Sequence, residues 1–295
     1  MIKQTLVFRN PAELSLRHNQ LVIYQKEEDR EVTRPIEDIG VVVIESQMVK
    51  ATIPLLNALT DNNVAVVLCD AHSMPHSMLM LLDGNKTLQE TYRYQVEANL
   101  PVKKRAWQQI VESKIKNQST LLTKLGKDGK VLRPYYMNVK SGDSDNREGG
   151  AARIYWGMLF EPGFRREREG LPPNNMLNYG YAILRAAVTR ALLGSGLYPA
   201  FGLFHRNRYN AFPLADDMME PYRPYVDELV HHLYYDGAYS GLTTEVKTML
   251  QRVLFADVQM GTQTRPLEIA LSFTTASLVK ILKGDEDHLN LPTFQ

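Results

Sequence analysis

Ile39-Gly40-Val41-Val42-Val43-Ile44 and, further on, Val64-Ala65-Val66-Val67-Leu68 are the stretches whose reading decides the fold. Both are dominated by β-branched residues, too short for stable helices and bounded by turn formers, which is the signature of buried strands. Working outward, Thr5-Leu6-Val7-Phe8, Glu13-Leu14-Ser15-Leu16 and Gln20-Leu21-Val22-Ile23-Tyr24 repeat the pattern towards the N-terminus. Pro35-Ile36-Glu37-Asp38 breaks it, residues 51–62 predict a helix, and Asp61-Asn62-Asn63 supplies turn chemistry before the last strand. From Thr87 onward the period changes. Trp107, Ile110, Val111 and Ile115 recur at steps of three to four, as do Tyr181, Leu184, Val188 and Leu192 within a helix predicted over 178–194, where the stripe calls for packing alone. Residues 127–142, 161–173 and 194–213 read as irregular connections. The expectation is an α+β chain: a small N-terminal β-rich domain over 1–80 and a larger all-α domain over 81–295.

The chain has 295 residues, of which 44% are hydrophobic and 23% charged, so it is long and apolar enough to build a core and is neither disordered nor fibrous. A single cysteine, Cys69, rules out an internal disulfide framework and a multi-thiolate zinc site, which fits a reducing, cytoplasmic setting. No apolar run reaches membrane-spanning length, and the first residues lack a signal-peptide pattern. The formal net charge of +1 gives no general attraction to polyanions, but residues 99–140 hold ten Lys and Arg against Glu112 and Asp128. That segment, with Lys103, Lys104 and Arg105 at its start, is a candidate DNA contact; the plain alternative is a solvated helix face.

Two constellations carry possible chemistry. In Asp145-Asn146-Arg147-Glu148-Gly149-Gly150-Ala151-Ala152, Asp145 and Glu148 have the spacing of a capping box. Yet Glu148 shares a helical face with Ala152, Tyr155 and Leu159, and the adjacent glycines permit close approach of a ligand or another chain. Further on, the stretch from Gly202 to Pro224 contains His205, Asp216, Asp217 and Glu220, with Asp217 and Glu220 on one face of any helix that starts there. An imidazole with two carboxylates would suit manganese or magnesium. Arg147, Arg206, Arg208 and Arg223 are placed to hold phosphates, although Arg223 could instead pair with Asp217 or Asp227. Cys69, His72 and His76 read as structural, because Pro75 interrupts their turn. His231 and His232 face different ways on a helix, and the methionines read as core filler.

Asn146-Arg147-Glu148-Gly149 followed by Ala151-Ala152-Arg153-Ile154-Tyr155, together with His205, Asn210, Phe212, Leu214-Ala215-Asp216-Asp217 and Glu220-Pro221-Tyr222-Arg223-Pro224, resembles the CRISPR-associated integrase family of spacer acquisition, most of all its type II members and II-C among them. The resemblance implies an N-terminal β domain that forms a homodimer and a C-terminal helical catalytic domain. It also implies metal ligands Glu148, His205 and Glu220, with Asp217 the second choice for the third position, and Mg2+ or Mn2+ as the ion. The activity implied is that of a DNA endonuclease and integrase: a 3′-hydroxyl of a captured double-stranded DNA fragment attacks a phosphodiester at the edge of the CRISPR repeat. The implied partner is the small second adaptation protein. The competing expectation is a catalytically inactive DNA-binding scaffold whose acids are helix caps.

Overall fold

A computed structural model describes residues 3–79, 81, 87–167, 170–205, 207–235, 237 and 241–295. Two compact units emerge, residues 1–86 and 87–295. Met80, of the methionines, and Arg206, of the proposed phosphate contacts, lie outside the described residues.

The first unit is built on two sheets. β1 (Gln4–Phe8), β5 (Ile39–Ile44), β7 (Ala65–Cys69) and β8 (Pro75–Leu79) form one in the order β1-β5-β7-β8, parallel except for β8. β2 (Glu13–Arg17), β3 (Gln20–Gln25), β4 (Arg30–Pro35) and β6 (Lys50–Ala51) form the other in the order β4-β3-β2-β6. β5 is buried along almost its whole length, which is why its run is continuously apolar rather than alternating. Helix α1 (Ile53–Asp61) contributes Leu55 and Leu59 to a core shared with Leu14, Leu21, Ile39, Val42 and Val66. Cys69 is buried, and Asp70 accepts the backbone N–H groups of His72 and Met74, a turn rather than a ligand cluster.

The second unit is mainly helical: α2 (Leu88–Glu97), α3 (Leu100–Lys124), α4 (Arg133–Tyr136), α5 (Arg147–Leu159), α6 (Asn174–Gly194), α7 (Pro213–Met219), α8 (Arg223–Tyr235), α9 (Thr244–Gln251) and α10 (Leu267–Lys283). It also holds an antiparallel hairpin, β9 (Asp257–Met260) and β10 (Gln263–Pro266), that an all-α reading does not anticipate. The hairpin's Val258 and Met260 point inward, and the Thr293 N–H donates to Gln259, so the chain's last residues extend it. α3 is capped by Asn99, whose side chain accepts the Val102 N–H, and its 25 residues run for about 37 Å. It packs on α5, α8 and α10, while α6 packs on α7 through α10. Among the methionines Met176, Met218 and Met219 are buried, but Met48 and Met137 are exposed and fill no core.

Among the described residues no helix is long and apolar enough to cross a membrane.

Candidate metal centre

The start of α5 determines whether Glu148 is free. Asn146 takes a left-handed backbone conformation and its side-chain oxygen accepts the Gly149 N–H at 3.2 Å. Asp143, one turn earlier, accepts the N–H groups of Arg147 at 2.7 Å and Glu148 at 3.1 Å. Capping is therefore done by Asn146 and Asp143. Asp145 pairs instead with Lys140 and Arg147, and no capping box forms. Gly150 allows the ring of Tyr135 against α5, where a β-carbon would meet it at 2.7 Å, so the close approach comes from this chain's own α4.

With its capping duty removed, Glu148 turns to α3 and meets the Lys114 Nζ at 2.5 Å. The same ammonium reaches Glu220 Oε2 at 2.5 Å, and Arg223 Nε lies 2.9 Å from Glu220 Oε1. Glu220 stands in the 3₁₀ turn Glu220–Tyr222 that joins α7 to α8, and its side chain is nearly buried. Each of its carboxylate oxygens therefore faces one cation, Oε2 the Lys114 ammonium and Oε1 the Arg223 guanidinium. Burial disfavours a charge on Glu220, but Arg223 and then Lys114 more than offset it and hold the carboxyl down to about 2. Burial likewise works against the Lys114 charge, and Glu220 and Glu148 reverse it, so the ammonium is held above its ordinary range.

His205 comes from the connection between α6 and α7. Its Nδ1 is 2.5 Å from Asp217 Oδ1, which leaves Nε2 as the atom available to a ligand. Asp217 is fully buried. It also accepts the backbone N–H groups of Leu203 at 2.6 Å, Phe204 at 3.0 Å and His205 at 3.3 Å. The loop can come this close because residue 202 is glycine, where a β-carbon would lie 2.7 Å from the His205 carbonyl and 3.1 Å from Asp217. The hydrogen bond to Asp217 raises the His205 pKa despite partial burial, with Glu220 adding to the effect. Asp216 is turned elsewhere, towards the Asn210 amide at 2.7 Å and Arg185 at 3.8 Å. The three neighbouring acids thus have three different surroundings, and of them Glu220 faces Glu148.

Behind the carboxylates lies a buried support. Arg223 stacks on the ring of Tyr181 at 4.4 Å and pairs with neither Asp217 nor Asp227. Asp227 is fully buried and accepts the hydroxyls of Tyr155, at 2.7 Å, and Tyr181. Burial raises its carboxyl to about 6, with the two phenols opposing the rise. Tyr181 therefore does more than pack. Arg166, from the connection before α6, lies over the same ring at 5.3 Å and is held by Asn174 and Asn178. A cavity of about 270 Å³ opens between Lys114, Glu148, Glu220, Arg166 and Arg223, and an adjoining one of about 560 Å³ carries His205, Asn207 and Arg185.

The remaining expected DNA contacts do not converge here. Lys103, Lys104 and Arg105 lie two to three turns before Lys114 on α3, about 14–17 Å along its axis. Arg147 is bound to Asp145, and the exposed Arg208 lies over the Tyr209 ring. The basic segment is also not one cationic face: Lys114 is buried, Lys124 pairs with Glu228, and Lys127 donates to the Met158 and Leu159 carbonyls at the end of α5. Sequence reasoning does not single out Lys114, Tyr181, Arg166 or Asp227 for the site. For Lys114 a signal exists, since it falls in helical phase with Trp107, Val111 and Gln118.

As a test of fit, Glu148 and Glu220 offer carboxylate oxygens already gathered about one cation, the Lys114 ammonium, and His205 adds an oriented imidazole. That donor set fits a hard or borderline divalent cation. Among the described residues no group of three His, Cys, Asp or Glu side chains is arranged to hold a metal ion as it stands, so the fit is one of donor chemistry.

Residues 5–249 match the sequence profile of the family described as CRISPR associated protein Cas1. The chain is similar to the CRISPR-associated endonuclease Cas1 of Neisseria meningitidis serogroup C (strain 8013), with 38% identity over 89% of this chain and 86% of that protein. It is also similar to a CRISPR-associated endonuclease Cas1 of Francisella tularensis subsp. novicida, with 27% identity over 83% of this chain and 82% of that one. In fold it resembles a casposase bound to its integration product, at TM-score 0.76 and 19% identity over 98% of this chain and 93% of that one. A CAS1 protein from Thermotoga maritima gives 0.75 and 16% over 99% of both chains. With the profile spanning most of the sequence and a relative of this identity aligned over most of both chains, the protein belongs to the CRISPR-associated Cas1 family.

Proposed function

We propose that the protein is a divalent-metal-dependent DNA endonuclease and integrase of CRISPR adaptation, with Glu148, His205 and Glu220 holding Mg2+ or Mn2+. The observation that carries this reading is the meeting of Glu148 and Glu220, from separate elements, on one cation beside an imidazole that Asp217 orients. The relatives' shared description as endonucleases supports it, and the similarity to the Neisseria protein fits the type II-C reading. A bound divalent ion supplies Lewis acidity towards a phosphodiester and eases deprotonation of an attacking hydroxyl. Glu220 is the third ligand in preference to Asp217, whose two oxygens are taken up by three amides and His205. Arg223 and Arg166, set on the Tyr181 ring, present guanidinium groups to the phosphates.

The DNA substrates are a double-stranded fragment, whose 3′-hydroxyl attacks, and the CRISPR repeat that receives it. Residues 1–86 serve homodimerisation, residues 87–295 catalysis, and a small second adaptation protein joins two dimers. Cleavage of labelled DNA in Mn2+ by the wild type and by Glu220→Gln tests the centre. The wild type cuts and the variant does not, and Mn2+ raises the wild-type Tm, as any ligand specific for the folded state must. Equal cutting by both proteins, or no Mn2+-dependent stabilisation, would leave a DNA-binding scaffold as the better reading.

A further inference from the structure

We infer that Lys114 is an internal counter-ion of this centre: its ammonium holds Glu148 and Glu220 together when no divalent cation is bound, and withdraws when one binds. The inference rests on the metal reading above and adds a competitor to it. Lys114 projects from the middle of α3, its side chain is only 9% exposed, and its Nζ stands 2.5 Å from an oxygen of each carboxylate. Without it, two carboxylates from different elements would face each other across the cavity, with Arg223, on the far oxygen of Glu220, and Arg166, in the cavity wall, left to balance them.

An ion bound to those oxygens at about 2.0–2.2 Å would occupy the space the ammonium now fills, and the two positive charges would repel strongly at such separation. The occupants are therefore mutually exclusive, and the exchange is a displacement rather than a loss of the lysine proton. A place for the displaced group exists. Gln118, one turn further along α3 and lining the same cavity, has a buried side-chain oxygen with no hydrogen-bond partner. Residues four apart on a helix are neighbours, and the four-carbon lysine stem pivots easily. The protein thus carries its own competitor, which keeps the empty site assembled and lowers its affinity for the metal.

The test is Mn2+ binding to the full-length protein, followed by the electron paramagnetic resonance signal of free Mn2+ and by Tm. Lys114→Met keeps the stem and removes the charge. It melts lower than the wild type without metal, binds Mn2+ about tenfold tighter or more, and gains more Tm from saturating Mn2+. Equal or weaker Mn2+ binding by the variant overturns the counter-ion role while leaving the metal reading intact, whereas no Mn2+ binding by either protein overturns both. A second measurement needs only the wild type: reductive methylation of lysines read by mass spectrometry. Lys114 is protected without metal and becomes several-fold more reactive with saturating Mn2+, and protection unchanged by bound Mn2+ refutes displacement.

Discussion

Asp217→Asn replaces one carboxylate oxygen by an amino group at a point where every approach comes from a donor. If the new amino group takes the Oδ2 position, it faces the N–H groups of Leu203 and Phe204, which both lose their acceptor. If it takes the Oδ1 position, it faces the His205 N–H and the imidazole. The imidazole must then accept through Nδ1 and carry its proton on Nε2, the nitrogen assigned to the metal. Leaving one or two buried donors unpaired costs about 2–4 kcal/mol. In a protein of this size that lowers Tm by roughly 3–6 °C. Because the histidine loses its orienting partner, Mn2+ affinity falls about 10- to 100-fold without vanishing. The assay is urea unfolding of the variant beside a Mn2+ titration. A variant of wild-type stability that binds no Mn2+ would refute the reasoning, since it would mark Asp217 as a ligand rather than the group that sets His205.

The Glu220 carboxyl, held at about 2 against an ordinary 4.5, stabilises the fold above pH 4.5 and loses that contribution as pH falls towards 2. The stability difference between wild type and Glu220→Gln therefore shrinks by about 3 kcal/mol over that window in metal-free acid titrations, and a difference independent of pH contradicts the ion pairing. Tyr181→Phe keeps the ring beneath Arg223 but strips one hydroxyl from Asp227, costing about 1–3 kcal/mol in urea unfolding, and no loss would mean the phenol is idle. Reversing Lys103, Lys104 and Arg105 to glutamate weakens DNA binding and flattens its salt dependence by about 0.9 for each phosphate that is no longer neutralised. An unchanged slope makes that part of α3 a solvated face.

Much of the fold is legible where burial and local preference agree. β5 and β7 are read directly from their β-branched runs, and α6 from its stripe, because nothing in those segments competes with the tertiary environment. β4, Arg-Glu-Val-Thr-Arg-Pro, is not legible, since it is largely exposed and owes its strand conformation to pairing with β3. The hairpin of β9 and β10 is hidden for a similar reason: four-residue strands carry too little periodicity to register within a helical pattern. In the centre, the residue types of Glu148, His205 and Glu220 are visible, but their surroundings are not. Whether Glu148 caps its own helix depends on the left-handed backbone of Asn146 and on Asp143 reaching forward. Lys114 shows the cost of counting charges without phase: among ten basic residues it reads as surface, yet its place on the Trp107 face of α3 buries it between two acids.

The most direct test of the metal-centre account is strand transfer of a labelled DNA fragment into a repeat-bearing plasmid, with the small adaptation partner and Mn2+ present, comparing wild type with His205→Ala. The account predicts joined product from the wild type and none from the variant, with DNA binding retained by both. Joined product from His205→Ala at the wild-type level would contradict it.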